Sequence, residues 1–150
     1  MIWGNNFYEH PMNKTSDKLF VYGTLMRVAA HPAAEYLKTH GTYLDRGSFR
    51  GELFEIEKYP GAVYTPRGAY HVHGEIFLLD SPDDVLAYLD PYEETGPGFP
   101  EPHEYIRTVI PVHPEDTAVP VSCWVYLYNR DTSGRQQIMH GNYKRFMLGF

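Results

Sequence analysis

Six stretches of the chain are largely apolar or aromatic, and Gly, Pro, Asp or Asn residues bound each of them. Short runs of this kind, bounded by turn residues, are typical of β-strands. The predicted strands cover residues 18–23, 48–56, 62–64, 70–79, 105–112 and 121–128. Strands therefore dominate the predicted fold.

Two other stretches carry helix signals. Residues 32–38 begin with Pro32, which suits the first helical position, and the stretch ends before Gly41. The second begins at Ser81, a residue type that caps helices, continues with Pro82 and an acidic first turn, and is terminated by Pro91. Strands interspersed with two short helices predict an α+β domain whose mixed, mostly antiparallel sheet is closed or nearly closed into a β-barrel.

The last predicted strand, residues 121–128, has apolar residues on one face and aromatic residues on the other. The apolar face carries Val121, Cys123, Val125 and Leu127, and the second face carries Ser122, Trp124, Tyr126 and Tyr128. We therefore expect both faces to be covered. The aromatic face either packs under a helix or walls a ligand cavity.

Length and composition are those of one domain, which we place at residues 18–150, after an irregular N-terminal arm at residues 1–17. The single cysteine, Cys123, forms no internal disulfide, and no segment approaches the roughly 20 apolar residues of a membrane-spanning helix. These features predict a cytoplasmic protein. A net charge of -6 without a basic cluster argues against nucleic acid or membrane as a partner and leaves small polar molecules.

The first candidate site follows the first predicted strand, where the chain reads Tyr22-Gly23-Thr24-Leu25. Glycine lets a ligand approach the main chain closely, so the N–H groups of this turn can face an anionic or polarised oxygen. The alternative is that the strand simply stops at a glycine, as many strands do.

The second candidate site is a carboxylate just beyond the second helix, in Leu89-Asp90-Pro91-Tyr92-Glu93. The apolar surroundings of Glu93 disfavour its charged form, so we expect a pKa raised toward neutrality, as suits a residue that shuttles protons. Its neighbour Glu94 is interpreted as a solvated charge, although the sequence leaves open which of the two carboxylates points inward.

Tyr105 and Arg107 lie two residues apart on a predicted strand and therefore share a face, whereas Glu104 and Ile106 take the opposite face. Arg107 is interpreted either as the partner of a carboxylate in the preceding loop or as a direct contact to a ligand.

His71 and His73 also share a strand face, which is the spacing of two metal ligands. The sequence offers no third ligand at the spacing that a metal site on a β-barrel needs. We therefore predict neither a metal nor a cofactor.

The order of these motifs resembles the gamma-glutamylcyclotransferase-like family, which includes the gamma-glutamylamine cyclotransferases and the plant avirulence-induced-gene type proteins. The resemblance runs from about residue 19 to about residue 143. Its most specific part is the Tyr-Gly-Thr-Leu turn, followed about 70 residues later by Leu89-Asp90-x-x-Glu93. Where that family often has glycine after its acidic residue, this chain has Glu94.

The resemblance implies a β-barrel enzyme that converts a gamma-glutamyl amide or peptide into 5-oxoproline and a free amine or amino acid, without a metal. Glu93 would be the acid/base, and Tyr22, Gly23, Thr24, Leu25, Tyr105 and Arg107 would bind the substrate. The alternative is a non-catalytic module that binds a small metabolite on the same barrel. The leaving group and the oligomeric state are left open.

Overall fold

The computed structural model describes residues 14–23, 32–93, 95–96 and 98–150. Its elements, in chain order, are β1 (Lys18–Val21), α1 (Pro32–His40), β2 (Gly41–Glu55), β3 (Pro60–Tyr64), β4 (His71–Leu79), α2 (Pro82–Leu89), a 3₁₀ turn (Asp90–Glu93), β5 (Tyr105–Pro114), β6 (Val121–Tyr128), β7 (Gln136–Gln137) and α3 (Tyr143–Met147).

Five strands form a closed barrel in the order β2-β4-β1-β6-β5, with β5 pairing back to β2. The closing pairs are Gly47 with Pro114 and Ser48 with His113. The pairing of β1 with β6 is parallel, and the other pairings in the ring are antiparallel. The predicted α+β fold with a mixed, closed β-barrel is therefore confirmed.

β2 is long enough to serve two purposes. Its first ten residues pair with β4 across one irregularity between Tyr43 and Asp45, and residues 51–55 leave the barrel to pair with β3. A side chain at Gly74 of β4 would collide with the neighbouring strand, because its Cβ would lie 2.1 Å from the carbonyl oxygen of Val21. Glycine therefore allows β1 to lie close to β4.

Two clusters of buried side chains hold the barrel and its helices together. One cluster takes fully buried residues from all five barrel strands, including Phe20, Phe49, Val72, Ile110 and Val125. The other packs the helices onto the sheet through residues such as Leu19, Leu37, Phe77 and Leu89. Both faces of β6 are buried, since Cys123 and Val125 belong to the first cluster and Tyr126 and Tyr128 to the second.

The structure adds elements that the sequence pattern did not predict: the first half of β2, the short strand β7 and the third helix α3. Ser81 stands at the N-cap of α2 as expected, but its side chain makes no capping hydrogen bond. α2 ends at Leu89, and Pro91 lies within the 3₁₀ turn that continues it. None of the helices that the structure describes has the length and apolar character needed to cross a membrane.

Most of the predicted N-terminal arm lies outside the described residues. Its last part contacts the barrel, because Ser16 donates a hydrogen bond to the carbonyl of Ser122 (2.6 Å) and accepts one at its own carbonyl from the Trp124 indole (2.9 Å). Asp17 accepts a hydrogen bond from the main-chain N–H of Leu79.

Candidate active site

A cavity of about 240 Å³ opens beside the end of β1. The end of β1, the segment leading into β3, the 3₁₀ turn, the start of β5 and the middle of β6 all contribute to its walls. The lining residues are mostly aromatic, with two carboxylates: Phe20, Val21, Tyr22, Gly23, Tyr59, Pro60, Tyr92, Glu93, Glu104, Tyr105 and Tyr126. The cavity therefore brings together four of the sequence-predicted site residues, Tyr22, Gly23, Glu93 and Tyr105.

Gly23 lies where β1 ends, directly against Pro60. A Cβ at this position would lie 2.6 Å from Cγ of Pro60, closer than any side chain tolerates. The φ angle of Gly23 is not positive, so it is the space beside Pro60, and not a left-handed backbone, that requires glycine here. The other two predicted residues of this turn, Thr24 and Leu25, lie outside the described residues.

Two tyrosine hydroxyls fix the walls of the cavity. Tyr22 donates a hydrogen bond to the carbonyl of Tyr126 (2.5 Å) and accepts one from the main-chain N–H of Ala62 (3.2 Å). Tyr105 donates to the carbonyl of Pro60 (2.6 Å). Burial raises the pKa of both tyrosines far above the usual value, with the nearby Glu93 charge adding to it. These hydroxyls stay protonated and act as structural donors.

Glu93 is the last residue of the 3₁₀ turn, half-buried, and lines the cavity. Burial raises its pKa to about 7, and the neighbouring charges of Glu104 and Asp90 contribute in the same direction. A carboxyl group with such a pKa exchanges protons in both directions near neutral pH. Glu94, the other carboxylate considered from the sequence, lies outside the described residues.

Arg107 does not line the cavity but holds the turn that carries Glu93. Its Nε and Nη2 donate to the two carboxylate oxygens of Asp90, at 2.9 and 3.2 Å. The hydroxyl of Tyr126 also donates to Asp90, at 2.7 Å, and the guanidinium lies 4.5 Å from the centre of the Trp124 ring. Of the two interpretations of Arg107, the geometry agrees with the partner of a preceding carboxylate, which is Asp90.

Glu104 is the site residue that the sequence analysis missed. It was assigned to the strand face opposite Tyr105, and this was wrong, because β5 begins only at Tyr105 and the alternation of faces does not extend to the residue before it. Both residues line the cavity. The Glu104 carboxylate is buried and accepts a hydrogen bond from the hydroxyl of Tyr59.

The charged side chains that line the cavity are all acidic. Glu93 and Glu104 are its ionisable acids, and the described lining residues include no Lys, Arg or His. The negative potential of two carboxylates between low-dielectric aromatic walls attracts cations and repels anions. An anionic group of a ligand would therefore need positive dipoles such as those of main-chain N–H groups.

His71 and His73 lie on β4 and are absent from the cavity lining. Partial burial lowers the pKa of His73, and the proximity of His71 adds to the effect. Within the described part of the chain, no three His, Cys, Asp or Glu side chains lie close enough together to hold a metal ion.

Residues 19–145 match the protein family described as gamma-glutamyl cyclotransferase, AIG2-like. The chain is 31% identical over 127 residues to the gamma-glutamylcyclotransferase family protein ytfP of Citrobacter rodentium, a match that covers 84% of this chain and 94% of that protein. The corresponding protein of Escherichia coli K12 is 30% identical over 127 residues, with 84% and 95% covered.

Solved structures show the same fold. An AIG2-like protein from mouse superposes with a TM-score of 0.57 at 26% sequence identity, covering 79% of this chain and 90% of the mouse chain. An uncharacterised protein from Pyrococcus horikoshii reaches a TM-score of 0.62 at 20% identity, with 89% and 94% covered, which is a likeness of fold alone.

Proposed function

The chain belongs to the gamma-glutamyl cyclotransferase, AIG2-like family, and we propose that it converts a gamma-glutamyl amide or peptide into 5-oxoproline and a free amine or amino acid. The observation that carries this proposal is Glu93, a carboxyl group with a pKa of about 7 in an aromatic cavity beside the Gly23 turn. The site supplies an acid/base at neutral pH and needs no nucleophile of its own.

The substrate carries both reacting groups. Its α-amine attacks the carbonyl carbon of its own side-chain amide, a new C–N bond closes a five-membered ring, and the bond to the leaving nitrogen breaks. Such ring closures have effective molarities on the order of 10⁵–10⁸ M when the chain is held in the reactive conformation. Holding that conformation and moving protons are therefore the tasks left to the protein.

Glu93 performs the proton transfer. As a carboxylate it takes a proton from the α-ammonium group, which frees the nitrogen lone pair for attack, and as a carboxylic acid it protonates the departing nitrogen. Overall, two protons pass from the α-nitrogen to the leaving nitrogen, which departs as a protonated amine. A pKa near 7 suits both half-steps because neither protonation state is strongly favoured.

The main chain from Tyr22 to Leu25 binds the carboxylate of the glutamyl group or the oxyanion that develops on the attacked carbonyl. The close contact of Gly23 with Pro60 supports this role, since it fixes the turn against a wall of the cavity. Tyr105 and Tyr126 enclose the substrate, and Arg107 acts indirectly by positioning the 3₁₀ turn through Asp90.

The proposed reaction uses no metal and no cofactor, because the electrophile and the nucleophile belong to one molecule and the charge changes are proton transfers. We therefore expect turnover to persist after exhaustive chelation. Inactivation by a chelator, reversed by one added divalent ion, would replace this mechanism with a metal-dependent one.

The deciding experiment follows a panel of gamma-glutamyl amides, each with a free or an N-acetylated α-amine, by mass spectrometry. The expected products are 5-oxoproline and free amine from the unblocked substrates, and none from the acetylated ones, whose nitrogen cannot attack. Free glutamate, or equal cleavage of acetylated substrates, contradicts cyclisation. Binding of 5-oxoproline without any product favours a non-catalytic binding module.

A further inference from the structure

Glu104 is a buried carboxylate for which the proposed reaction has no use. Only 9% of the residue is exposed, and it lines the same cavity as Glu93. Tyr59 donates a hydrogen bond to its Oε2 atom, and no basic side chain in the described ranges forms an ion pair with it. Buried carboxylates are rare unless paired, so this side chain is expected to meet a positive charge when the cavity is filled.

The α-ammonium group of the substrate is a poor candidate for that charge. It must lose its proton before the nitrogen can attack, and an ionised carboxylate beside it favours the charged, unreactive form. Glu93 avoids this conflict because it accepts the proton itself. Glu104, whose carboxylate is already hydrogen-bonded by Tyr59, is suited to a positive charge that persists through the reaction.

In a gamma-glutamyl amide, the other place for such a charge is the leaving amine. An ammonium group at its far end would approach Glu104 with charge-assisted hydrogen bonding. A leaving group with a carboxylate, as in a gamma-glutamyl α-amino acid, would bring a further acidic group into a cavity that already holds Glu93 and Glu104.

We propose that Glu104, oriented by Tyr59, binds an ammonium group on the leaving amine and so selects gamma-glutamyl amides of diamines. This inference rests on the proposed cyclotransferase function and adds the chemical class of the leaving group. Glu104 is a specificity-determining residue in this scheme and takes no part in proton transfer.

The test compares two substrates that differ in one charge: the gamma-glutamyl amides of 1,4-diaminobutane and of butylamine. At pH 8 the free end of the diamine remains protonated, since alkylammonium groups have a pKa near 10. We expect kcat/KM of the wild-type protein to favour the diamine amide by about 10- to 100-fold, the range of a charge-assisted hydrogen bond. The ratio of the two values is the readout, because any effect on Glu93 applies to both substrates.

Glu104→Gln keeps the shape of the side chain and removes its charge, so the ratio should fall to about one. The matched control is Glu101→Gln, an exposed glutamate of the same loop that does not line the cavity, and this variant should keep the wild-type ratio. An unchanged ratio in Glu104→Gln would overturn the assignment.

A second measurement uses the wild-type protein alone and does not depend on the folding of a variant. Free 1,4-diaminobutane should inhibit turnover of the butylamine amide at least about tenfold more strongly than free butylamine does. Equal inhibition by the two amines, or equal kcat/KM for the two amides, rejects the role of Glu104 and leaves the cyclotransferase function standing. Absence of turnover with both amides rejects the proposed function and this inference with it.

Discussion

Arg107 and Asp90 form a two-bonded ion pair, and Asp90 begins the turn that Glu93 ends. The pair is mostly shielded from solvent and is extended by the Tyr126 hydroxyl, which also donates to Asp90. The main-chain carbonyl of Asp90 accepts a hydrogen bond from the N–H of Thr95, and this bond connects the start of the turn to the segment that follows it. The position of Glu93 therefore depends on a contact between the 3₁₀ turn and strands β5 and β6 of the barrel.

Asp90→Asn should lower both stability and turnover. The neutral amide weakens three hydrogen bonds to the charged carboxylate, two from Arg107 and one from Tyr126, which we expect to cost about 1–3 kcal/mol in the free energy of unfolding. Because the turn shifts, kcat should fall more than KM rises. Glu115→Gln is the matched control: it removes the partner of exposed Arg46 and should cost less than about 1 kcal/mol. Equal costs in denaturant titrations of the two variants would contradict the positioning role of Asp90.

Glu93→Gln should leave the fold intact and reduce turnover by about 10²–10⁴-fold, the usual contribution of one acid/base group. The amide keeps the volume but cannot accept a proton. Turnover measured together with circular dichroism decides the matter, and Glu94→Gln tests the neighbouring carboxylate in the same way. A folded Glu93→Gln protein with normal activity would exclude the assigned role.

The pH profile should report the ionisation of Glu93. Because the base must be deprotonated to act, kcat/KM should rise with pH through a midpoint of about 7. Glu104→Gln removes one of the negative charges that raise this pKa, so the midpoint should move to lower pH. The profile of Glu101→Gln should not move, and a midpoint that is the same in all three proteins would argue against electrostatic coupling between the two cavity carboxylates.

Glu93 should also make stability depend on pH. Its pKa is raised from 4.5 to about 7 on folding, so between these values the folded state binds more protons than the unfolded chain does. The contribution of Glu93 to the free energy of unfolding is therefore greatest below pH 4.5, falls as the pH rises and is lost above pH 7. The whole change amounts to at most about 3 kcal/mol. Glu93→Gln should remove this dependence on pH. The free energy of unfolding of the variant should therefore rise relative to that of the wild type between pH 4.5 and pH 8. Parallel stability curves would show that the carboxyl group is not desolvated.

Gly23→Ala should weaken binding of 5-oxoproline by at least about tenfold, since the added methyl group overlaps Pro60 and overpacking costs about 1–3 kcal/mol. The double variant with Pro60→Ala supplies the control. Without the proline ring, the methyl group has room, so the second substitution should restore much of the affinity that the first removes. Additive losses would mean that Gly23 is needed for a reason other than space.

The sequence predicted most accurately the strand in which both faces are buried. β6 was predicted with its observed bounds because nearly every residue in it faces one of the two cores. The first half of β2 was missed because Leu44, an apolar residue, points outward and is 43% exposed, which breaks the expected alternation. α3 has five residues, too few for helical periodicity, and is recognised only by its cap, where the Asn142 side chain accepts from the N–H of Arg145.

Site residues could be predicted from the local sequence where a single short segment carries the signal. Gly23 follows a strand and Glu93 follows a helix, and each position carries its own signal in the sequence. The pair of Tyr59 and Glu104 has no such signal, because the two residues are 45 positions apart and meet only through the pairing of the barrel. A contact of this kind follows from the topology and not from any short pattern.

The position of β1 has a consequence for the order in which the nascent chain acquires structure. β1 lies between β4 and β6, and the ribosome completes these two strands about 60 and 110 residues after it completes β1. Leu19, Phe20 and Val21 therefore lack β4 as a sheet neighbour until residue 79 has been synthesised, and β1 lacks β6 until residue 128 has been synthesised. Gly23, one of the first of the described residues to be synthesised, becomes part of the cavity wall only after Tyr126, towards the other end of the sequence, has been synthesised.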